Sequence, residues 1–151
     1  MYRRVEFACA IAILAAIVVL VGVASVARTL GAPIIWSVEI AQLLFVWECM
    51  LAADLAMQHD RHFGLSVLLD RLGTRARRIV VIGNLLVLIA LLGFLLVYAV
   101  INTGLMHPRL IGATQMNASL VHAAMPFGLA LMLRTLAVKL WHAIAEMRGT
   151  S

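Results

Sequence analysis

Long apolar stretches alternate along the chain with short segments that hold nearly all of its basic residues. Phe7 to Ala27 contains no charged residue, and at about 1.5 Å per residue it can cross a hydrocarbon core of roughly 30 Å. Ile79 to Ile101 repeats the pattern with Asn84 as its only strongly polar side chain. Another run starts near Ala118 and stays apolar to Leu133, beyond which Arg134 and Lys139 can extend their charged ends toward headgroups. The stretch from Trp36 to Gln58 is also apolar, but Glu39, Glu48 and Asp54 interrupt it. Continuous runs of this length suit helices, whereas a membrane barrel would show short alternating segments. The pattern predicts an all-α membrane protein, one four-helix domain over residues 1–151 with spans near 6–28, 36–58, 79–102 and 118–141.

The connection between the second and third spans has a period of its own. Leu65, Leu68, Leu69 and Leu72 recur at helical spacing, while Ser66, Asp70 and Arg71 take other faces. This predicts a short amphipathic helix over 63–73 lying on the membrane surface. An ordinary loop ending in a stop-transfer charge cluster is the plainer alternative. Arg75, Arg77 and Arg78 then form a collar suited to anionic phospholipid headgroups.

Basic residues also set the expected topology, because Lys and Arg accumulate on the cytoplasmic side. Arg3, Arg4, the middle connection, Arg134, Lys139 and Arg148 share one side, against only Arg28 and Arg109 on the other. Both termini are therefore expected in the cytoplasm, in a multi-pass membrane protein. The first span follows two arginines and ends in Ser25-Val26-Ala27, which loosely resembles a cleavage site, but its length favours a retained signal anchor.

Composition narrows the function. The 151 residues are 64% hydrophobic and 13% charged, with a mean hydropathy of +1.05, outside the usual range for a soluble domain. Four spans leave no room for a soluble catalytic domain, so any activity sits in or on the bundle. The net charge of +5 reads as a topology signal, since Arg71 to Arg78 forms no aromatic-interleaved surface for nucleic acid.

Cys9 and Cys49 lie in separate spans without a paired-cysteine motif and are expected to be small packing residues. The eight methionines are dispersed, which suits gap filling better than metal binding. A four-helix anchor could hold a haem between two histidines, but His122 and His142 stand about 30 Å apart along one helix. His59 or His62 could meet His142 at one end and His107 could meet His122 at the other, with no facing pair at midspan. Neither a cofactor nor a metal site is expected.

The carboxylates carry the most chemistry, because an acid at the centre of a span costs about 2.5 to 3.5 kcal/mol on insertion scales. Glu39 and Asp54 are separated by roughly 60° around the helix axis, and Glu48 lies roughly opposite Glu39. One lipid-free face cannot hold all three, so the helix is surrounded by protein, or some of the acids are protonated or reach the interface. Two classes stay open: an independent proton-coupled transporter using Glu48 or Asp54, and a noncatalytic subunit whose acidic helix meets a larger membrane partner.

Trp36-Ser37-Val38-Glu39, Leu43-Leu44-Phe45-Val46-Trp47, Met50-Leu51-Ala52-Ala53, His62-Phe63 and Leu68-Leu69 follow one another in an order that resembles a known helix. It is the second span of the small membrane subunit (the Q-type small permease protein) of tripartite ATP-independent periplasmic (TRAP) transporters. Pro126-Phe127-Gly128 is similar to that family's Leu-Pro-x-Gly step in the last helix. Ala52 stands where Gly is usual, Ser66 where Asp is usual, and Glu48 and Asp54 where apolar residues are common.

The resemblance implies a noncatalytic scaffold packed against a large membrane subunit that carries the substrate and sodium sites, with a periplasmic substrate-binding protein delivering an organic anion. It implies structural or partner-interface roles for Trp36, Glu39, Trp47, Glu48, Asp54 and His62, and lipid contacts for Arg75, Arg77 and Arg78. Within this reading, Glu39 caps its helix or pairs with a partner cation, the tryptophans offer broad packing surfaces, and His62 with Arg61 fixes the turn into the surface helix. Plain bundle packing or topology signalling is the alternative role for each.

Overall fold

A computed structural model describes residues 2–58, 74–112 and 114–148. Its helices are α1 (Tyr2–Thr29), α2 (Ile35–Gln58), α3 (Thr74–Leu105), the one-turn α4 (Ser119–His122) and α5 (Ala124–Arg148). Among the described residues, four helical stretches are long and apolar enough to cross a membrane: α1, α2, α3, and α4 continued by α5. The expected surface helix at 63–73, with His62, lies outside the described residues, as does the side chain of Arg75.

Helix α1 packs on α2, α2 on α5, and α5 on α3, so α2 and α5 are central and α1 and α3 flank them. That order supplies protein on both sides of the acidic helix. The less exposed positions of α1 are Glu6, Ala10, Ile13, Ile17, Leu20, Ala24 and Ala27, which advance by alternating steps of four and three residues. A stripe with this 3.5-residue period gives a seam suited to a neighbour crossing at a shallow angle. Outside the seam, side chains such as Val18 and Val19 stay exposed, as lipid-facing residues must.

The ends of the helices follow from local chemistry. Gly31 has φ +79° and closes α1, with Ala32 N–H donating to the Ala27 carbonyl (3.0 Å) and Gly31 N–H to that of Arg28 (3.2 Å). This pair of bonds satisfies carbonyls that the last turn would leave unpaired, and Pro33 prevents the helix from continuing. Helix α3 begins at Thr74, ahead of the expected span, and so carries Arg77 and Arg78 on its exposed first turns.

The last span continues through Ala123, whose backbone stays helical (φ −64°, ψ −24°), and near it only the hydrogen-bond ladder is interrupted. Pro126 has no N–H, so the carbonyl of His122 loses its helical donor. The single hydroxyl hydrogen of Thr103 on α3 is shared between the Ala99 carbonyl (2.8 Å) and that of His122 (3.2 Å), which replaces the lost donor in part.

Between α3 and α4 the chain makes a small antiparallel hairpin, β1 (Leu110–Ile111) with β2 (Met116–Asn117), which hydropathy did not anticipate. Leu110 faces Asn117, Ile111 faces Met116, and Ala118 N–H extends the ladder to the Arg109 carbonyl at 2.8 Å. The positive φ values of Gly112 (63°) and Gln115 (54°) make the tight return. Contacts of α2 place its Gln58 end beside the chain termini and its Glu39 end beside this hairpin. These are called the terminal end and the hairpin end below.

Candidate functional site

Polar groups occur at three levels along α2, and each level has a different set of neighbours. At the terminal end, Asp54 is 1% exposed and its carboxylate is fully engaged. Thr135 Oγ1 on α5 donates to Oδ1 at 2.8 Å, and Gln58 Nε2 donates to Oδ2 at 2.8 Å. The same Gln58 amide donates at 2.6 Å to Oε2 of Glu6 on α1. An amide NH2 has two hydrogens, so one glutamine joins two carboxylates from different helices.

Cations from α5 offset those charges. Arg134 lies 3.6 Å from Oε1 of Glu6, an ion-pair distance rather than a hydrogen bond. Lys139 donates to the Met57 carbonyl at 2.6 Å, satisfying an orphan acceptor in the last turn of α2. Glu6, Gln58, Arg134 and Thr135 therefore work with Asp54 to tie α1, α2 and α5 together. Of the two roles expected for Asp54, structural or partner-facing, its bonding groups and its burial within this chain fit the structural one.

At the middle level Trp47 also turns inward. Its indole N–H donates to the Leu120 carbonyl at 3.3 Å, and its ring lies 5.5 Å from that of Phe127 in a tilted arrangement. Part of its broad surface thus packs on α4 and α5, which fits the structural one of the two roles expected of it. Helices α2 and α5 approach closely at Gly128, where a Cβ would stand 2.6 Å from the Cβ of Met50. That contact gives the Pro126-Phe127-Gly128 step its physical reason.

Glu48 lies on another face, in a groove of about 460 Å³ shared by α1 and α2. Its Oε2 is buried and receives no hydrogen bond from the described residues. Cys9 and Cys49 are free thiols exposed on the surface of the bundle rather than enclosed within it. A thiol is apolar enough to stand against lipid.

At the hairpin end, Glu39 reaches across to the loop. Its Oε2 accepts from the Thr114 backbone N–H at 3.0 Å and from the Thr114 hydroxyl at 2.5 Å. Gly112 closes over this carboxylate so tightly that a Cβ there would collide with it. Glu39 therefore holds the hairpin on α2, a tie the sequence did not foresee. Trp36 beside it is 51% exposed and free to meet lipid or another subunit.

A further polar pair joins α3 to α4, with Asn102 Nδ2 3.3 Å from His122 Nδ1. His107 and His142 are exposed. Among the described residues, no group of three or more His, Cys, Asp or Glu side chains is placed to hold a metal.

Sequence reasoning missed Glu6, because the charge-free run was counted from Phe7. Its seam position, four residues before Ala10, is the signal that places it inward. Thr114 and the hairpin left no comparable signal.

A search among curated proteins gave no match. Residues 7–146, which take in all or most of each described helix that can cross the membrane, match the family described as "Tripartite ATP-independent periplasmic transporters, DctQ component". With that match covering nearly the whole chain, the four-helix membrane protein belongs to the DctQ family and is a small permease component of a TRAP transporter.

Proposed function

We propose that this chain is a noncatalytic scaffold of the bacterial inner membrane. It holds a large membrane subunit during sodium-coupled uptake of an organic anion delivered by a periplasmic binding protein. The family match across all four spans carries this reading. The chemistry of the bundle supports it: Glu6, Glu39 and Asp54 serve as ties between this chain's own elements, as a rigid support requires. Exposed Arg77 and Arg78 fit phospholipid headgroups, with Arg75 beside them in sequence. Their place at the terminal end favours cytoplasmic termini, since Arg28 and Arg109 are the basic residues of the opposite end.

Reconstitution into liposomes tests the proposal. The large subunit, this chain and the binding protein together should give sodium-driven organic-anion uptake, and omission of this chain should abolish it. Proton-driven uptake by this chain alone, lost in Glu48→Leu, would overturn the scaffold reading in favour of an independent carrier.

A further inference from the structure

Glu48 stands apart from the other acids in its surroundings. Glu6, Glu39 and Asp54 each accept a hydrogen bond from a side chain elsewhere in this protein. Two buried carboxylate oxygens accept no hydrogen bond from the described residues: Oε1 of Glu6, which has the Arg134 guanidinium 3.6 Å away, and Oε2 of Glu48, which has no ion pair with them. Every other side chain lining its groove is apolar. Glu48 lies thirteen residues past Ile35 and ten before Gln58. At about 1.5 Å per residue, it is roughly 15 Å from the nearer end of α2, too far for its short side chain to reach an interface.

The groove has the shape of a helix seat. On α1, Phe7, Ile11 and Leu14 form an exposed apolar wall with helical spacing. On α2, Ala52 and Ala56 follow Glu48 at successive intervals of four and offer an exposed, small-residue floor. Small residues at this spacing let another helix backbone come close. A lipid chain could cover the wall but has no donor for a carboxylate, and headgroup donors remain at the interface. The unmet acceptor instead calls for a donor carried to midspan by protein.

Resting on the scaffold reading above, we propose that the α1–α2 groove seats a transmembrane helix of the large subunit. Glu48 is the polar anchor of that seat, accepting from an Arg, Lys, Asn or Gln side chain of the incoming helix at the same depth. The interface is thereby separated from Asp54, whose bonds close this subunit's own bundle.

Co-isolation of the two membrane subunits from detergent-solubilised membranes tests the anchor. Glu48→Leu should lower the large subunit recovered with this chain at least tenfold, and Glu48→Gln, which can still accept a hydrogen bond, should retain part of it. Thermal stability of the isolated Glu48→Leu subunit should match or exceed the wild type, where a role inside its own fold would lower it. In a Cys9→Ala/Cys49→Ala background, Ala52→Cys should form disulfides with one cysteine-scanned helix of the large subunit, and Val87→Cys on the outer face of α3 should not.

Normal association of Glu48→Leu, a loss of its stability, or crosslinks from position 52 only to a second copy of this chain would each overturn the anchor while leaving the scaffold intact. Failure of the wild-type subunits to associate would instead remove the scaffold reading, and the anchor with it.

Discussion

Thr135→Val tests the polar closure of the bundle most directly. The substitution keeps the side-chain shape and removes the hydroxyl that donates to Asp54 Oδ1 at 2.8 Å. Asp54 is 1% exposed, so bulk solvent cannot replace the donor, and Gln58 already serves the other oxygen. A hydrogen bond to a charged group contributes about 1.5 to 3 kcal/mol in soluble proteins. Interhelical bonds in membranes average about 0.6 and reach about 1.7 kcal/mol, because the unfolded helices also find partners. A buried bond to a carboxylate belongs near the top of the membrane range, so Thr135→Val should cost about 1.5 kcal/mol, roughly tenfold in the folding equilibrium.

Asp54→Leu leaves a different deficit, since the Thr135 hydroxyl can turn back to the carbonyl four residues earlier on its own helix. The double variant Asp54→Leu/Thr135→Val removes both polar groups and should be more stable than Thr135→Val alone. Equilibrium unfolding in mixed micelles with increasing dodecyl sulfate, followed by circular dichroism, measures all three. Wild-type stability of Thr135→Val, or a double variant equal to the sum of the singles, would refute the assigned bond.

Other ties give separable outcomes. Gly128→Val puts a branched side chain where a Cβ already meets Met50, and should destabilise by about 1 to 3 kcal/mol in the same titration. Wild-type behaviour would mean that α2 and α5 do not meet there. Glu39→Ala frees the hairpin from α2 and should speed trypsin cleavage after the exposed Arg109 severalfold, while Glu39→Gln, still an acceptor for Thr114, should stay near wild type. Equal cleavage of all three proteins would remove the clamp. Trp47→Phe retains the ring against Phe127 and should cost less than about 1 kcal/mol, whereas Trp47→Ala should cost about 2 kcal/mol or more. Comparable unfolding midpoints for the two would place the ring outside the packing.

Hydropathy made the four-helix architecture legible because crossing a bilayer imposes a length and a composition that no side-chain contact can relax. The resemblance of the Trp36–Leu72 region likewise pointed to the family that the match over residues 7–146 establishes. What the sequence withheld depends on which helices are neighbours. Trp47 looks equally suited to a partner surface and to an inner contact until α4 and α5 are seen beside it. Glu6 looks like an interface residue until Gln58 and Arg134 are placed around it. The hairpin contributes only two residues per strand, too few to produce an alternating pattern, and its attachment depends on Thr114 meeting Glu39 across a separation of 75 residues.

The two unusual acids of α2 show how neighbour order turns one chemistry into two roles. Six residues separate Glu48 from Asp54, which at about 100° per residue sets them roughly 120° apart around the axis. With α1 on one flank of α2 and α5 on another, that rotation decides what each carboxylate meets. Asp54 turns to Thr135 and Gln58, and its acceptors are filled by the fold itself. Glu48 turns to a groove whose other walls are apolar, leaving a buried oxygen with no donor from the described residues. Under the anchor proposed for Glu48, the two acids divide the work: Asp54 fixes the helices of this chain, and the unfilled acceptor of Glu48 marks the seat where small residues let another helix approach.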